Sequence, residues 1–211
     1  IVNLDPITGK ISYRDGMMPV IGEDIHMCPS AVGAKGWRAM AYSPDTSAMY
    51  IPLSLNCGIY AFGPAEEKEL GGGGTGPFRR VFRHHPESEG NLGELLALDI
   101  PSGVVKWRHR TRAALNTAAL TTAGGLVFVG DWNRTMSALD AENGDVLWQV
   151  RLATSNQGSP ISYSVDGKQY IAMPTGIASS TWASSVPAEL TPELPQPPRT
   201  GSSINVFALP D

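Results

Sequence analysis

The chain has 211 residues, 42% of them hydrophobic, enough to bury a sizeable core as one large or two small domains. Its net charge of −4, from 16 basic and 20 acidic residues with no basic cluster, argues against nucleic acid as a partner. With 23 glycines and 17 prolines the composition suits many turns between short strands, and no apolar run reaches membrane-spanning length. In chain order, Ile1 opens the sequence without a leader pattern, so a processed piece or a start inside a larger protein is expected. Asp5, Gly9 and Tyr13 then set a spacing that returns more strongly downstream. Ala39–Tyr42, a Ser-Pro-Asp-Thr turn and Met49–Leu53 read as a hairpin flanked by Cys28 and Cys57. From these flanks alone, two buried free thiols and a disulfide both stay open.

Residues 63–93 read as a long insertion containing Gly71-Gly72-Gly73-Gly74, too long for a turn and expected to be a loop. The most informative phrase follows. Ala97, Leu98, Asp99, Gly103, Val105 and Trp107 return 41 residues later as Ala138, Leu139, Asp140, Gly144, Val146 and Trp148. Ala118–Thr121, Leu126–Gly130, Thr135–Asp140 and Val146–Val150 read as four short strands separated by turns. Pro160–Val165 and Gln169–Pro174 flank Asp166-Gly167, a strong hairpin signal. Residues 181–203, rich in proline and serine, read as a second loop, and Ile204–Leu209 as a last strand. Ala208-Leu209-Pro210-Asp211 looks like the start of another copy, and no segment reads as a helix.

Repeats of roughly 40 to 50 residues mark units that bury their faces only by stacking on copies of themselves. Each copy reads as strand, tight turn, strand: the Asp bonds the turn backbone, the Gly takes positive φ, and the Trp docks on a neighbour. This is the logic of a β-propeller blade. The expected fold is all-β, a partial propeller over residues 1–211 with about three to four blades and loop insertions near 63–93 and 181–203. Bare docking faces and an unpaired strand edge are expected to seek a partner.

Chemistry-bearing motifs are sparse. Gly71–Gly74 lacks the Gly-Lys-Ser/Thr ending of a phosphate loop, and His84-His85 with Glu87 and Glu89 reads as a solvated loop rather than a metal site. Asn133-Arg134-Thr135 matches a glycosylation sequon but sits in a turn that favours Asn anyway. There is no Ser/His/Asp or Cys/His arrangement. Trp107 and Trp148 read as blade-docking residues, whereas Trp37, Trp132 and Trp182 lie outside the repeat and leave a ligand-facing role open.

Several longer phrases carry a family resemblance. Met27-Cys28-Pro29-Ser30, Gly33-Ala34-Lys35-Gly36-Trp37, Ala41-Tyr42-Ser43-Pro44 and Met49-Tyr50-Ile51-Pro52-Leu53 resemble the pyrroloquinoline quinone (PQQ)-dependent alcohol dehydrogenases. So do Thr122–Asp131, Gly158-Ser159-Pro160 with Asp166–Ala172, and Val206-Phe207-Ala208-Leu209. The phrases run in family order along nearly the whole chain, which looks like the C-terminal third of such an enzyme.

The resemblance implies an eight-bladed periplasmic propeller that holds PQQ and a calcium or lanthanide ion near its axis. It implies alcohol oxidation by hydride transfer to the quinone, with a cytochrome as electron acceptor. It implies a Cys28–Cys57 disulfide and places Lys35, Gly36, Trp37, Asn116 and Trp182 on the cofactor side. Gly36 stands where the family carries a cofactor-contacting Asn or Asp, and Asn116 where methanol dehydrogenases carry a pocket Trp. The catalytic Asp and the metal ligands are expected outside this chain, so it holds no catalytic or metal residue of its own. The implied partner is the N-terminal remainder of the propeller or a second copy. The alternative class is a non-enzymatic propeller scaffold or binding module that has lost the cofactor.

Overall fold

A computed structural model describes residues 3–65, 76–177, 182–198 and 200–209. In chain order the first elements are β1 (Asn3–Leu4), β2 (Ile11–Ser12), β3 (Asp24–Met27), β4 (Ala41–Ser43), β5 (Ala48–Ser54) and β6 (Asn56–Phe62). Then come β7 (Pro77–His84), β8 (Gly93–Asp99), β9 (Val105–Thr111), β10 (Leu120–Thr122), β11 (Leu126–Gly130) and β12 (Thr135–Asp140). The last are β13 (Val146–Arg151), β14 (Ile161–Val165), β15 (Lys168–Thr175), α1 (Trp182–Leu190) and β16 (Ser203–Ala208).

Two four-stranded antiparallel sheets, β4-β5-β8-β9 and β10-β11-β12-β13, follow one another along the chain. A three-stranded sheet, β14-β15-β16, comes next, and β1-β2 forms a small ribbon before them. Of the four strands expected over 118–150, Leu126–Gly130 and Thr135–Asp140 have the expected bounds, whereas the first runs Leu120–Thr122 rather than Ala118–Thr121 and the last extends to Arg151. β5 and β6 are separated by Leu55 alone yet pair into different sheets, β5 with β8 and β6 with β3 and β7.

The repeated phrase folds three times into the same turn. The Gly9, Gly103 and Gly144 amides donate to Asp5, Asp99 and Asp140 carbonyls at 2.9, 2.8 and 2.9 Å. Each Asp carboxylate also accepts backbone amides within its own turn, from Ile7 and Thr8, from Ser102, and from Glu142 and Asn143. The register shifts at the same place in both strong copies, between Ala97 and Leu98 and between Ala138 and Leu139.

The main core lies between successive sheets. Tyr50, Leu95, Ala97 and Trp107 of one sheet pack on Val127, Val129, Leu139 and Ala141 of the next. Burial alternates strictly along β5, as a strand with one packed face requires. Trp107 is buried, 9% exposed, but Trp148 is 39% exposed and meets the next sheet edge-on at Phe207, with ring centroids 5.2 Å apart. The two copies of the repeat therefore dock unequally among the described residues.

Two expectations need correction. The insertion read as a loop over 63–93 carries β7, an eight-residue strand paired along the whole of β6, and a short 3-10 turn at Pro86–Ser88. The Pro/Ser-rich stretch 181–203 carries α1, although no helix was expected. The glycine run at 71–74 lies outside the described residues, as do Pro210 and Asp211.

Connections between strands gather at one end of the sheets, tied to one another by backbone bonds. Ala119 N donates to Ala39 O at 3.1 Å, Trp132 N to Ala114 O at 2.9 Å, Ala118 N to Gly158 O at 2.9 Å and Gly176 N to Ser155 O at 2.9 Å. These loops carry the candidate site.

Candidate functional site

The first wall is the loop 28–40, and its local sequence explains its fixed course. Met27 pairs with Gly58 as the last register position of β3 and β6, so Cys28 and Cys57 fall opposite each other and are joined by a disulfide, with Cα atoms 4.4 Å apart. Ser30 N donates to Asn56 O at 2.9 Å, and the Ser30 hydroxyl bonds the Asn56 side chain. Ala34 and Ser54 then exchange both backbone bonds, at 2.7 and 2.9 Å. Gly33 passes so close that an added Cβ would stand 2.5 Å from Asn56 O, which requires glycine there. Lys35 is exposed, and its ammonium turns back to donate to the Gly36 and Arg38 carbonyls. The result is a rigid presentation of Gly36, Trp37 and Arg38.

The opposite wall is α1. Glu189 Oε1 accepts Phe82 N at 2.8 Å, and Arg112 Nη2 donates to Leu190 O at 3.1 Å. The Arg112 guanidinium also pairs with Glu193 and bonds Gly90 O, and His84 Nε2 meets Leu190 O at 3.0 Å. Val186 is buried in a cluster with Ile25, Tyr60, Phe82, Leu92 and Ala114. The helix is thus pinned to the hairpin that the sequence presented as a loop.

Between the walls is a cavity of about 380 Å³ lined by Val32, Gly36, Trp37, Arg38, Ala114, Val186 and Pro187, with Ala31 and Ser54. Its surface is mostly apolar. Trp37 stands at the rim, 64% exposed, and Arg38 lies inside, 7% exposed. Arg38 makes no hydrogen bond or ion pair among the described residues, its Nε has no partner, and burial lowers its pKa to about 10. A buried cation without a counter-charge is costly unless a ligand supplies one.

A second group of polar side chains lies in the neighbouring loops. Asn116 is 1% exposed and neither its Nδ2 nor its Oδ1 has a partner, and Trp132 Nε1 and Asn156 Oδ1 are likewise unpartnered. Asp131 sits among them, with its carbonyl accepting Asn156 N at 3.3 Å, and burial raises its carboxyl pKa to about 6 against the pull of backbone bonds from Thr135 and Asn133. Unpartnered polar atoms are rare in folded proteins and mark places where a ligand or water completes the bonding.

Of the residues named from the sequence, Gly36 and Trp37 line the cavity, and Lys35 stands beside it with its ammonium committed to backbone carbonyls. Asn116 is buried in the adjoining loop, outside the cavity lining. Trp182 opens α1, but its side chain lies outside the described residues. Arg38, Val186 and Pro187 carried no sequence signal: a single Arg in a polar loop reads as solvated, and its burial is set by elements distant in the chain. His85 only caps the 3-10 turn, accepting Glu87 N at 3.2 Å, and no cluster of three metal-ligating side chains occurs among the described residues.

Residues 90–171 match the PQQ family model described as glucose/ethanol/alcohol dehydrogenase, beta-propeller domain. Quinoprotein alcohol dehydrogenase PedH of Pseudomonas putida is 33% identical over 186 residues, which cover 85% of this chain and 30% of that protein. The 1-butanol dehydrogenase (quinone) of Thauera butanivorans is 32% identical over 211 residues, covering 96% of this chain and 32% of that protein. A europium-containing methanol dehydrogenase shares the fold, with a TM-score of 0.81 at 24% identity over 98% of this chain and 38% of its own. The stacked four-stranded sheets with a repeated docking turn are therefore part of a β-propeller. Over nearly its whole length the chain is similar to PQQ-dependent alcohol dehydrogenases, and it spans about a third of the length of the curated relatives it matches.

Proposed function

We propose that this chain is the C-terminal part of a periplasmic PQQ-dependent dehydrogenase that oxidises an alcohol, and that it walls one side of the cofactor site. The observation that carries this reading is the cavity in which Trp37, an apolar wall and the uncompensated Arg38 guanidinium meet. PQQ is a planar anion, and an indole face, aliphatic walls and a buried cation suit such a molecule. Trp37 and Gly36 would border it, Arg38 would oppose its charge, and Asn116 would complete its bonding from the adjoining loop. When bound, the quinone supplies the electron sink for alcohol oxidation, and the protein supplies position and electrostatics.

On this reading α1 excludes water on the side away from the sheets, and the disulfide holds the loop 28–40 against β6. Such a bridge suits an oxidising compartment. The calcium or lanthanide ion, its ligands and the base that takes the alcohol proton belong to the remainder of the propeller, and a cytochrome receives the electrons. The test is a PQQ titration of the full-length apoprotein with calcium or a lanthanide, followed by intrinsic tryptophan fluorescence and by dye reduction with primary alcohols. Saturable PQQ binding with alcohol-dependent reduction supports the enzyme. A folded full-length protein that binds no PQQ would leave the scaffold reading in its place.

A further inference from the structure

We propose that Arg38 is a carboxylate-recognition residue, the anion anchor of the cavity between the loop 28–40 and α1. The geometry is that of a built site rather than a surface charge. Arg38 is 7% exposed, lines the cavity with its guanidinium over the Trp37 ring, and has no acidic partner among the described residues. The backbone that carries it is fixed at both ends, by the Ala34–Ser54 bonds on one side and the Ala119–Ala39 bond on the other. Lys35 clamps the Arg38 carbonyl, so that the guanidinium projects from a stiff turn. Burial lowers its pKa, and the contact that the guanidinium makes is with the Trp37 ring, its Cζ 5.9 Å from the ring centroid, which leaves its charge open to an anion.

The rest of the lining narrows the ligand. Trp37 offers an indole face at the rim, while Val32, Ala114, Val186 and Pro187 offer only apolar surface. A flat molecule that turns a carboxylate at one edge to the guanidinium fits both features: the guanidinium binds that carboxylate in two parallel hydrogen bonds and the ring lies along the apolar wall. Phosphate lacks the apolar body, and an uncharged alcohol leaves the cation uncompensated. Two sources present this chemistry, a carboxyl group of the cofactor and a carboxylate-bearing aromatic substrate. The cofactor source rests on the function proposed above; the carboxylate inference itself does not.

The experiment uses the full-length protein and its Arg38→Gln and Arg38→Lys variants, each first checked for native thermal unfolding. Benzoate and benzyl alcohol are titrated into each protein, with and without PQQ, and followed by thermal shift and tryptophan fluorescence. PQQ is titrated into each apoprotein. If Arg38 receives a cofactor carboxyl, R38Q weakens PQQ binding about tenfold or more and R38K weakens it less. If it receives a substrate carboxylate, PQQ binding is retained and the benzoate response falls about tenfold in R38Q while that to benzyl alcohol is unchanged. A natively folded R38Q that binds PQQ and benzoate as the wild type does overturns the proposal. A protein that binds no PQQ at all fails the proposed function, yet its benzoate response still decides Arg38.

Discussion

Tyr50 and Trp107 converge on one acceptor: the Tyr50 hydroxyl donates to Ala141 O at 2.8 Å and Trp107 Nε1 donates to the same carbonyl at 3.1 Å. Their rings are tilted against each other with centroids 5.6 Å apart. Both side chains come from one sheet, and the carbonyl belongs to the repeated turn of the next. The repeat is thus half of a joint: the Asp-to-Gly turn shapes the socket, and the Trp of the preceding copy fills it.

This joint makes Trp107→Ala a strongly destabilising change at the sheet interface. It removes a buried indole and a satisfied bond, and the expected loss is about 3–5 kcal/mol. Trp148→Ala, at a residue 39% exposed with an edge-on contact to Phe207, is expected to cost about 1–2 kcal/mol. Urea denaturation of the two variants checks the ranking; equal losses would contradict the unequal docking.

Gly144 is the other half of the joint. Its φ is +80°, and an added Cβ would stand 2.7 Å from the Trp107 ring. Gly144→Ala therefore combines backbone strain with a steric clash and is expected to cost at least about 1–2 kcal/mol. Gly103 shares the positive φ, but nothing lies within 4 Å of its Cβ position. Gly103→Ala should then show the backbone cost alone, and the difference between the two melting temperatures isolates the Trp107 contact.

Such contrasts mark the limits of what the sequence made legible. The turn phrase is local chemistry, an Asp that binds its own backbone and a Gly with positive φ, so the strands around it are readable one residue at a time. β7 was not readable: it is the edge strand of the β3-β6-β7 sheet, and along Phe78-Arg79-Arg80-Val81-Phe82-Arg83-His84 only Phe82 is buried, so no alternating apolar face marks it. The helix was hidden for a related reason. Pro187 and two serines make a poor isolated helix, and it is held by tertiary anchors at Phe82, Arg112 and the Val186 cluster. Gly36 and Trp37 were legible through family phrases, whereas Arg38 became a candidate only once its burial and lack of a counter-ion were seen.

Arg112 is the chief latch between α1 and the β7 side. It reaches Gly90 O, Leu190 O and Glu193 from one guanidinium, and its bond to Glu193 holds that carboxyl below the usual range. Because the two side chains are about half exposed, 40% and 52%, their ion pair is screened and Arg112→Gln is expected to leave global stability nearly unchanged, within about 1 kcal/mol. Its effect is local: amide exchange across residues 182–190 should accelerate relative to β11 and β12. Unchanged exchange in α1 would assign the latch to Glu189 and the apolar cluster instead.

The Cys28–Cys57 bridge closes a segment with a sequence separation of 29 and ties the loop 28–40 to β6. A Cys28→Ser/Cys57→Ser double variant is expected to lose about 2–4 kcal/mol of stability. The same loss should appear in the wild type under reductant and be absent from the double variant. Protection of residues 28–40 against proteolysis should fall in parallel, since Ser30, Ala34 and the disulfide act together on one loop.

Asp131 gives the pH dependence a defined sign. Burial raises its folded-state pKa to about 6 from an ordinary 3.8, so the folded protein holds this proton more tightly than the unfolded chain does. The associated stability is fully present below pH 3.8 and is lost as pH rises through about 6. Its size follows from the separation of the two values, about 3 kcal/mol at most. Asp131→Asn keeps an oxygen for the Thr135 amide, which bonds Asp131 Oδ1 at 2.8 Å, and removes the titration. The difference in melting temperature between the variant and the wild type should therefore grow from pH 4 to pH 7 in the variant's favour, and a difference constant with pH would place the Asp131 proton elsewhere.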